Sequence, residues 1–178
     1  MSSAPPKRDL EAPVPKPTVA EQLVSGGRDL IGREGVADLS VRRLVEAAGR
    51  STMCVYSHFG SRKRLLAEVF RSCADDLAAA LAAAGTAAEF ERAYAAYARE
   101  APRHFQYLFA ADLEGLGLEP ALRLDLVDAV LAAGVSLAGA DRVLAWWLGL
   151  HGAVWLDTLQ RLAGEPDRFD IAAAGNAP

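Results

Sequence analysis

Five basic side chains stand where two predicted helices begin: Arg42, Arg43, Arg62, Lys63 and Arg64. The N-terminus of a helix carries about half a positive charge, so each cation there costs about 0.3–1 kcal/mol in the isolated protein. Free backbone N–H groups and cationic side chains at a helix start together form a site for phosphate. This arrangement therefore predicts a phosphate-rich partner, and DNA is the obvious one.

Two short helices and a longer third one must position these cations, and we predict them at residues 40–48, 51–58 and 61–84. The apolar residues of the first recur at i, i+3, i+4 and i+7, which places them on one face. Ser40, Ser51 and Ser61 are suitable N-cap residues, and Gly49 suits the left-handed conformation that ends a helix. A helix, a four-residue turn that contains glycine and a second helix predict a helix-turn-helix.

The charge of the chain is divided unevenly along its length. The formal net charge of the 178 residues is −4, but residues 39–72 hold seven basic and two acidic side chains. Residues 73–178 hold seven basic and fifteen acidic ones. A part of net charge +5 joined to a part of net charge −8 predicts a nucleic-acid-binding end attached to a different kind of domain. A locally basic helix without such a role is the alternative.

Several function classes find no support in the residue types. Cys54 and Cys73 are too few for a disulfide framework or a zinc cluster. No window of 18 apolar residues and no apolar N-terminal segment occurs, so we expect a cytoplasmic protein without a membrane span. No acid–base pair, nucleophile arrangement or metal cluster emerges, so we predict that the protein is not an enzyme and uses no cofactor or metal. A helical enzyme or carrier, an adaptor without DNA binding, and redox sensing through Cys54 stay open as alternatives.

Helical periodicity continues through the rest of the chain and predicts an all-α protein. Residues 1–17 hold five prolines and few large apolar side chains, which is typical of an extended or disordered arm. Its basic residues could reach the minor groove, or the arm could be an untethered tail. Capping boxes are predicted for Thr18 with Glu21 and for Thr86 with Glu89. Later helices are predicted from 86 to about 100, from Pro102 to about 115, from 120 to 138 and from 140 to 163.

Residues 41–66 resemble the N-terminal domain of the tetracycline-repressor (TetR) family of bacterial transcriptional regulators. The matching features are Gly35 after the first helix of the chain, which is predicted from Thr18 to about Gly35, then Leu44-Val45-x-x-Ala48-Gly49, Val55-Tyr56 with His58-Phe59, and Ser61-Arg62 followed by Leu65-Leu66. The resemblance covers about residues 18–70. It implies that the helix at 51–58 is a recognition helix that lies in the major groove.

The resemblance also implies roles for individual residues. Four residues of the recognition helix are candidates for contact with base edges: Thr52, Met53, Cys54 and Ser57. Four residues correspond to the family's phosphate contacts: Arg42, Tyr56, His58 and Arg62. With their neighbours, the candidate DNA-binding set is Ser40, Arg42, Arg43, Arg50, Ser51, Thr52, Met53, Cys54, Tyr56, Ser57, His58, Arg62 and Lys63.

Four positions depart from the family pattern. Gly26 and Gly27 stand where the family usually has two alanines, so the first helix is either loose or packed very closely against a neighbour. Arg50 stands where a small apolar residue normally anchors the turn, and it either reaches a phosphate or is solvated. Met53 offers only apolar contact, for example to a thymine methyl group.

The family pairs its DNA-binding domain with a helical domain that binds a ligand and forms a dimer. Aromatic residues and histidines recur in this part of the chain, which suits an apolar pocket for a small molecule, although plain core packing is the alternative. The candidate pocket residues are Tyr94, Tyr97, Phe105, Phe109, Trp147 and His151. His151 is more often a satisfied core histidine than a ligand contact.

The last two predicted helices, 120–138 and 140–163, are apolar on most of their circumference. Such helices need two partners, which predicts a homodimer through a four-helix bundle. The expected organisation is an arm at 1–17, a DNA-binding domain at 18–70, a ligand-binding and dimerisation domain at 71–163 and a frayed tail at 164–178. The expected function is a repressor that binds a palindromic operator and is released by a small apolar or aromatic effector.

Overall fold

The computed structural model describes residues 16–166 and residue 168. These residues form eight α-helices and no strand. The helices are α1 (Val19–Glu34), α2 (Val41–Ala47), α3 (Thr52–Phe59), α4 (Arg62–Ala82), α5 (Ala87–Glu100), α6 (Pro102–Phe109), α7 (Ala121–Ala138) and α8 (Val143–Leu162). The all-α prediction is confirmed. The predicted arm, apart from its last two residues, and most of the predicted tail lie outside the described residues.

Helix starts and ends follow the local signals of the sequence. The Glu21 backbone N–H donates to Thr18 Oγ1 at 3.2 Å, and the Thr18 N–H donates to Glu21 Oε2 at 2.6 Å, so the predicted capping box is present. Gly49 has a φ of 63°, and the Arg50 N–H donates back to the Val45 carbonyl at 2.8 Å to close α2. Such a left-handed residue followed by a backward bond satisfies carbonyls that the last turn leaves open.

The serine caps are only partly as predicted. Ser40 and Ser51 occupy N-cap positions with extended backbone, but neither hydroxyl makes a capping hydrogen bond. The Ser61 hydroxyl does accept from the Arg64 N–H, at 3.3 Å. The starts of α2 and α3 therefore keep backbone N–H groups without a side-chain cap.

The first three helices and the start of α4 share one apolar core. Leu23 on α1, Leu44 on α2 and Val55 on α3 are each fully buried in it. Leu66 and Phe70 extend this core along α4. Because α4 runs from Arg62 to Ala82, the predicted boundary at residue 70 falls inside a continuous helix. The N-terminal and C-terminal parts of the molecule are therefore joined through α4 without a linker.

Gly26 and Gly27 mark a close approach rather than a loose helix. A Cβ atom on Gly26 would lie 2.7 Å from the N, Cα and Cβ atoms of Ala48. A Cβ atom on Gly27 would lie 2.7 Å from a methyl group of Val69. Of the two readings that the sequence allowed, the close packing of α1 is the one that the structure has.

The remaining helices pack around α4 and bury several aromatic side chains. Phe90, Phe105 and Tyr107 are fully buried, and the Tyr107 hydroxyl donates to the Leu66 carbonyl of α4 at 3.0 Å. Large apolar side chains that stay exposed on α7 and α8 are Leu124, Val135, Leu144, Leu148 and Leu159. Within the described residues, no helix is both long and apolar enough to span a bilayer.

Candidate functional site

Helix α3 presents an exposed face at one end of the molecule. Met53 is 70% exposed and Tyr56 is 55% exposed, while Val55 is fully buried and anchors the helix to the core. Residues at i, i+3 and i+4 share a helix face, so Met53, Tyr56 and Ser57 point the same way. The Ser57 hydroxyl donates to the Met53 carbonyl at 2.9 Å and keeps its oxygen lone pairs for a donor outside the helix. Thr52 and His58 are exposed beside this face.

The cysteines lie in unlike surroundings. Cys54 is half-buried, with its sulfur 3.4 Å from the Ser51 hydroxyl oxygen, and the hydrogen bond from this serine lowers the pKa of the thiol. Cys73 is fully buried in α4, and burial raises the pKa of its thiol to about 12. Cys54 is thus turned toward the start of α3 and away from its exposed face.

The cations of α2 and of the turn flank α3. Arg42 is exposed and forms no ion pair with any described residue, whereas Arg43 pairs with Glu34 at the end of α1. The Arg50 guanidinium donates to the Gln22 side-chain oxygen on α1. Arg50 is therefore held beside the start of α1, on the exposed surface next to Ser51, instead of anchoring the turn.

Arg62 and Lys63 have partners that the sequence did not indicate. Arg62 is half-buried, and its Nε donates to the Leu39 carbonyl at 2.5 Å. Its Nη1 donates to the Leu116 carbonyl at 3.2 Å. Lys63 forms an ion pair with Glu119, with Nζ and Oε1 2.5 Å apart. The partners at 116 and 119 are more than fifty residues away, so no local pattern could have identified them.

A groove of about 1490 Å³ runs beside α4 and joins these features. The exposed residues Tyr56, Ser57 and His58 of α3 line it at one end. Lys63 and Glu119 line it as well, together with residues of α1 and α7. The exposed end of α3 and the ion pair of the 110–120 loop therefore face the same space.

The predicted pocket residues form a closed aromatic cluster, with one exception. Ring centroids are 4.8 Å apart for Phe105 and Phe109, 4.8 Å for Phe109 and His151, and 5.0 Å for Trp147 and His151. Tyr94 joins through its hydroxyl, which lies 2.8 Å from His151 Nδ1. These rings, on α5, α6 and α8, are hereafter called the aromatic cluster. Trp155, at a centroid distance of 6.2 Å from Phe105, was not in the candidate set although it shares the spacing of Trp147 and His151.

Tyr97 does not belong to the aromatic cluster. Its hydroxyl donates to the Cys73 carbonyl at 2.8 Å and so ties α5 to α4. Tyr94 and Tyr97 are only three residues apart, but their hydroxyls reach different helices. Tyr97 therefore has a packing role in this structure.

Tyr94 and Trp147 of the aromatic cluster are buried, and His151 is half-buried. Burial lowers the pKa of His151 and raises the pKa of Tyr94, so both groups are neutral near pH 7. The indole Nε1 of Trp147 is buried and has no hydrogen bond of good geometry among the described residues. It lies close enough to the Tyr94 hydroxyl to act against the larger, pKa-raising effect of burial on Tyr94. The cluster thus combines large apolar surfaces with a donor that is poorly satisfied.

Comparison with known proteins points to one group. Residues 23–69 match the model of a family described as bacterial regulatory proteins, tetR family. The protein SCO4313, assigned as a regulatory protein, is 22% identical with a TM-score of 0.66, over 88% of this chain and 90% of that one. SCO7518 from Streptomyces coelicolor A3(2), assigned as a transcriptional regulator, is 22% identical with a TM-score of 0.65, over 88% and 94%.

A third solved structure, assigned as a tetR family transcription regulator from Shewanella sp. PV-4, is 18% identical with a TM-score of 0.62. It covers 85% of this chain and 89% of that one. At such low identities these likenesses show a shared fold over nearly the whole chain. No curated protein matches the chain.

Proposed function

We propose that the chain, whose residues 23–69 match the tetR family model, is a ligand-responsive transcriptional repressor of that family. It binds a palindromic operator as a homodimer, and a small apolar or aromatic effector releases it. Residues 18–70 form the DNA-binding domain, and residues 71–163 form the domain that senses the effector and dimerises. Its place of action is the cytoplasm, where the operator DNA is.

The observation that carries the DNA-binding proposal is the exposed apolar face of α3. Met53 and Tyr56 leave a large apolar area in water, while Val55 fixes the helix rigidly from behind. A partner that covers this face removes that area from water. In the major groove, Met53 would contact a thymine methyl group, and Thr52 and Ser57 would offer hydroxyls to base edges.

Phosphate contacts fall on groups around α3. Arg42 is free to take a phosphate, and Tyr56 and His58 lie at the exposed end of α3. The uncapped N–H groups at the starts of α2 and α3, after Ser40 and Ser51, are a second source of donors. Such contacts would fix the register of the protein on the duplex, whereas the α3 side chains would read the sequence.

The dimer proposal rests on an exposed apolar stripe along α8. Leu144, Leu148 and Leu159 are 52%, 54% and 42% exposed, and Gly152 lies on the same face at helical spacing. Leu124 and Val135 of α7 are exposed as well. Packing α7 and α8 against a second copy forms a four-helix bundle and covers both helices. Two-fold symmetry then pairs two α3 helices with two half-sites of an operator.

The effector proposal rests on the aromatic cluster. A planar apolar molecule that separates Phe109 from Trp147 and His151 would keep stacking contacts and could accept from the Trp147 indole N–H. Such an effector favours a state in which α6 and α4 have moved, so that the two α3 helices no longer match the half-site spacing. Its binding shifts a two-state population in proportion to its preference for one state.

A gel-shift titration tests this function. The full-length protein is titrated into a labelled duplex from the promoter region of its own gene, and into an unrelated duplex of equal length. We expect binding with at least about a hundred-fold preference for the promoter duplex, and a footprint of two symmetric half-sites. Met53→Ala should lower affinity for the promoter duplex and leave affinity for the unrelated duplex nearly unchanged, because this apolar side chain would contact a base and not a phosphate. A helical enzyme, a carrier or an adaptor would bind neither duplex.

A further inference from the structure

The loop between α6 and α7, residues 110–120, touches the start of α4. The Leu116 carbonyl accepts from Arg62, and the Glu119 carboxylate pairs with Lys63. Oxygen atoms of this loop thus bind Arg62 and Lys63, two of the cations next to the helix that we propose contacts DNA. Neither the loop nor Glu119 belongs to the helix-turn-helix.

The loop is held firmly enough to keep these oxygens in place. Arg123, in the first turn of α7, donates to the Leu108 carbonyl at 2.8 Å and to the Ala111 carbonyl at 2.6 Å. The Leu118 N–H donates to the Leu113 carbonyl at 2.7 Å, and both leucine side chains are buried. Glu119 follows this buried anchor directly, so its backbone is held beside Lys63.

The pair itself contributes little to the stability of the fold. The side chains of Lys63 and Glu119 are 53% and 69% exposed, and exposed ion pairs are screened by water and salt. The Lys63 ammonium nevertheless holds the pKa of Glu119 below its usual range, so the carboxylate is charged at neutral pH. Because Lys63 and Glu119 line the same groove as Tyr56, Ser57 and His58, the negative charge of Glu119 faces the same space as the end of α3 that we propose contacts DNA.

We propose that Glu119 and the Leu116 carbonyl compete with DNA phosphate for the cations at the start of α4 and so set how tightly the protein binds DNA. The carboxylate is a substitute for a phosphate oxygen: it neutralises Lys63 in the free protein and must be displaced, or tolerated nearby, when DNA binds. The loop follows α6, which carries Phe105 and Phe109 of the aromatic cluster. A movement of α6 would therefore change how strongly the loop competes. This inference rests on the proposed DNA-binding function.

Glu119→Gln tests the competition, because it removes the charge and keeps the shape. We expect affinity to rise about three- to ten-fold for the promoter duplex and for an unrelated duplex alike, since phosphate contacts do not read sequence. The slope of log K against log salt should become steeper by about one for each half-site, because one more phosphate is neutralised. Fluorescence anisotropy between 50 and 200 mM salt measures both quantities.

Two further variants make the result specific. Glu114→Gln removes an equal charge from an exposed residue of the same loop that pairs with no described cation, and it should change affinity less than about two-fold. In a Lys63→Gln background, Glu119→Gln should lose most of its effect, as a double-mutant cycle requires for a direct pair. Equal effects of Glu114→Gln and Glu119→Gln would reduce the finding to net charge and overturn the inference.

Other outcomes separate the inference from the proposed function. If the wild-type protein binds no duplex at all, the proposed function is wrong. If it binds DNA and Glu119→Gln leaves affinity unchanged, the competition does not exist and DNA binding stands. A loss of affinity confined to the promoter duplex would show that the loop holds α4 in its binding orientation, which also overturns the competition.

Discussion

Replacing Gly26 with alanine should destabilise the fold, although alanine is the better helix former. The added Cβ would lie 2.7 Å from the N and Cα atoms of Ala48, and a backbone cannot rotate away as a side-chain end can. Helices α1 and α2 must therefore separate by several tenths of an ångström. Overpacking of this kind costs about 1–3 kcal/mol, and contact with backbone places Gly26 at the upper end. The gain in helix propensity offsets about 1 kcal/mol.

The net loss is therefore about 2 kcal/mol, which for a chain of this length lowers the melting temperature by roughly 4–8 °C. Thermal unfolding followed by circular dichroism measures the shift. Gly27→Ala should cost less, since its Cβ would meet side-chain methyl groups rather than backbone: one of Val69 at 2.7 Å and one of Leu44 at 3.5 Å. Ser25→Ala, on the exposed side of the same helix, is the matched control and should not lower the melting temperature. If Gly26→Ala melts at or above the wild-type temperature, the close contact between α1 and α2 is not as described.

Three further predictions concern the dimer, the aromatic cluster and the cations. Leu148→Glu places a charge on the exposed stripe of α8 and should leave the protein monomeric at micromolar concentration in sedimentation. Ala96→Glu, at an exposed position of α5 away from this stripe, should leave the dimer intact. A dimeric Leu148→Glu protein would contradict the proposed interface. Burial holds the pKa of His151 below its usual value in the folded protein. In the unfolded chain this histidine binds a proton near pH 6.5, so the free energy of unfolding should fall as the pH drops below about 6.5. In urea titrations His151→Phe should show a shallower fall, and an equal fall would mean that His151 is not the group responsible. Arg42→Ala should weaken binding to promoter and unrelated duplexes alike and reduce the slope of log K against log salt by about one, without a change in melting temperature. Arg62→Ala should have the same effect on binding and should also lower the melting temperature, because it leaves the Leu39 and Leu116 carbonyls without their donor.

The positions at which most helices begin and end follow from local chemistry, so the sequence by itself determined them. The Thr18 cap, the left-handed Gly49 and the Pro102 start each act within four residues of their own position, so spacing and residue type are enough to locate them. Tyr56 is exposed beside a buried Val55, which is what the resemblance to the tetracycline-repressor N-terminal domain implies for these two positions. The all-α fold and the position of α3 belong to this predictable part.

Partners that come from distant parts of the chain were decided only by the tertiary structure. Tyr94 and Tyr97 have the same spacing signals, yet one reaches His151 on α8 and the other reaches a carbonyl on α4. Gly26 could have meant a loose helix until Ala48 was placed against it. Arg62 has the sequence context of a phosphate contact, but the 110–120 loop brings a carbonyl to it from fifty-four residues away. Local preferences fix where helices start and end, whereas the packing of whole helices decides which polar groups meet, and no spacing rule encodes that packing.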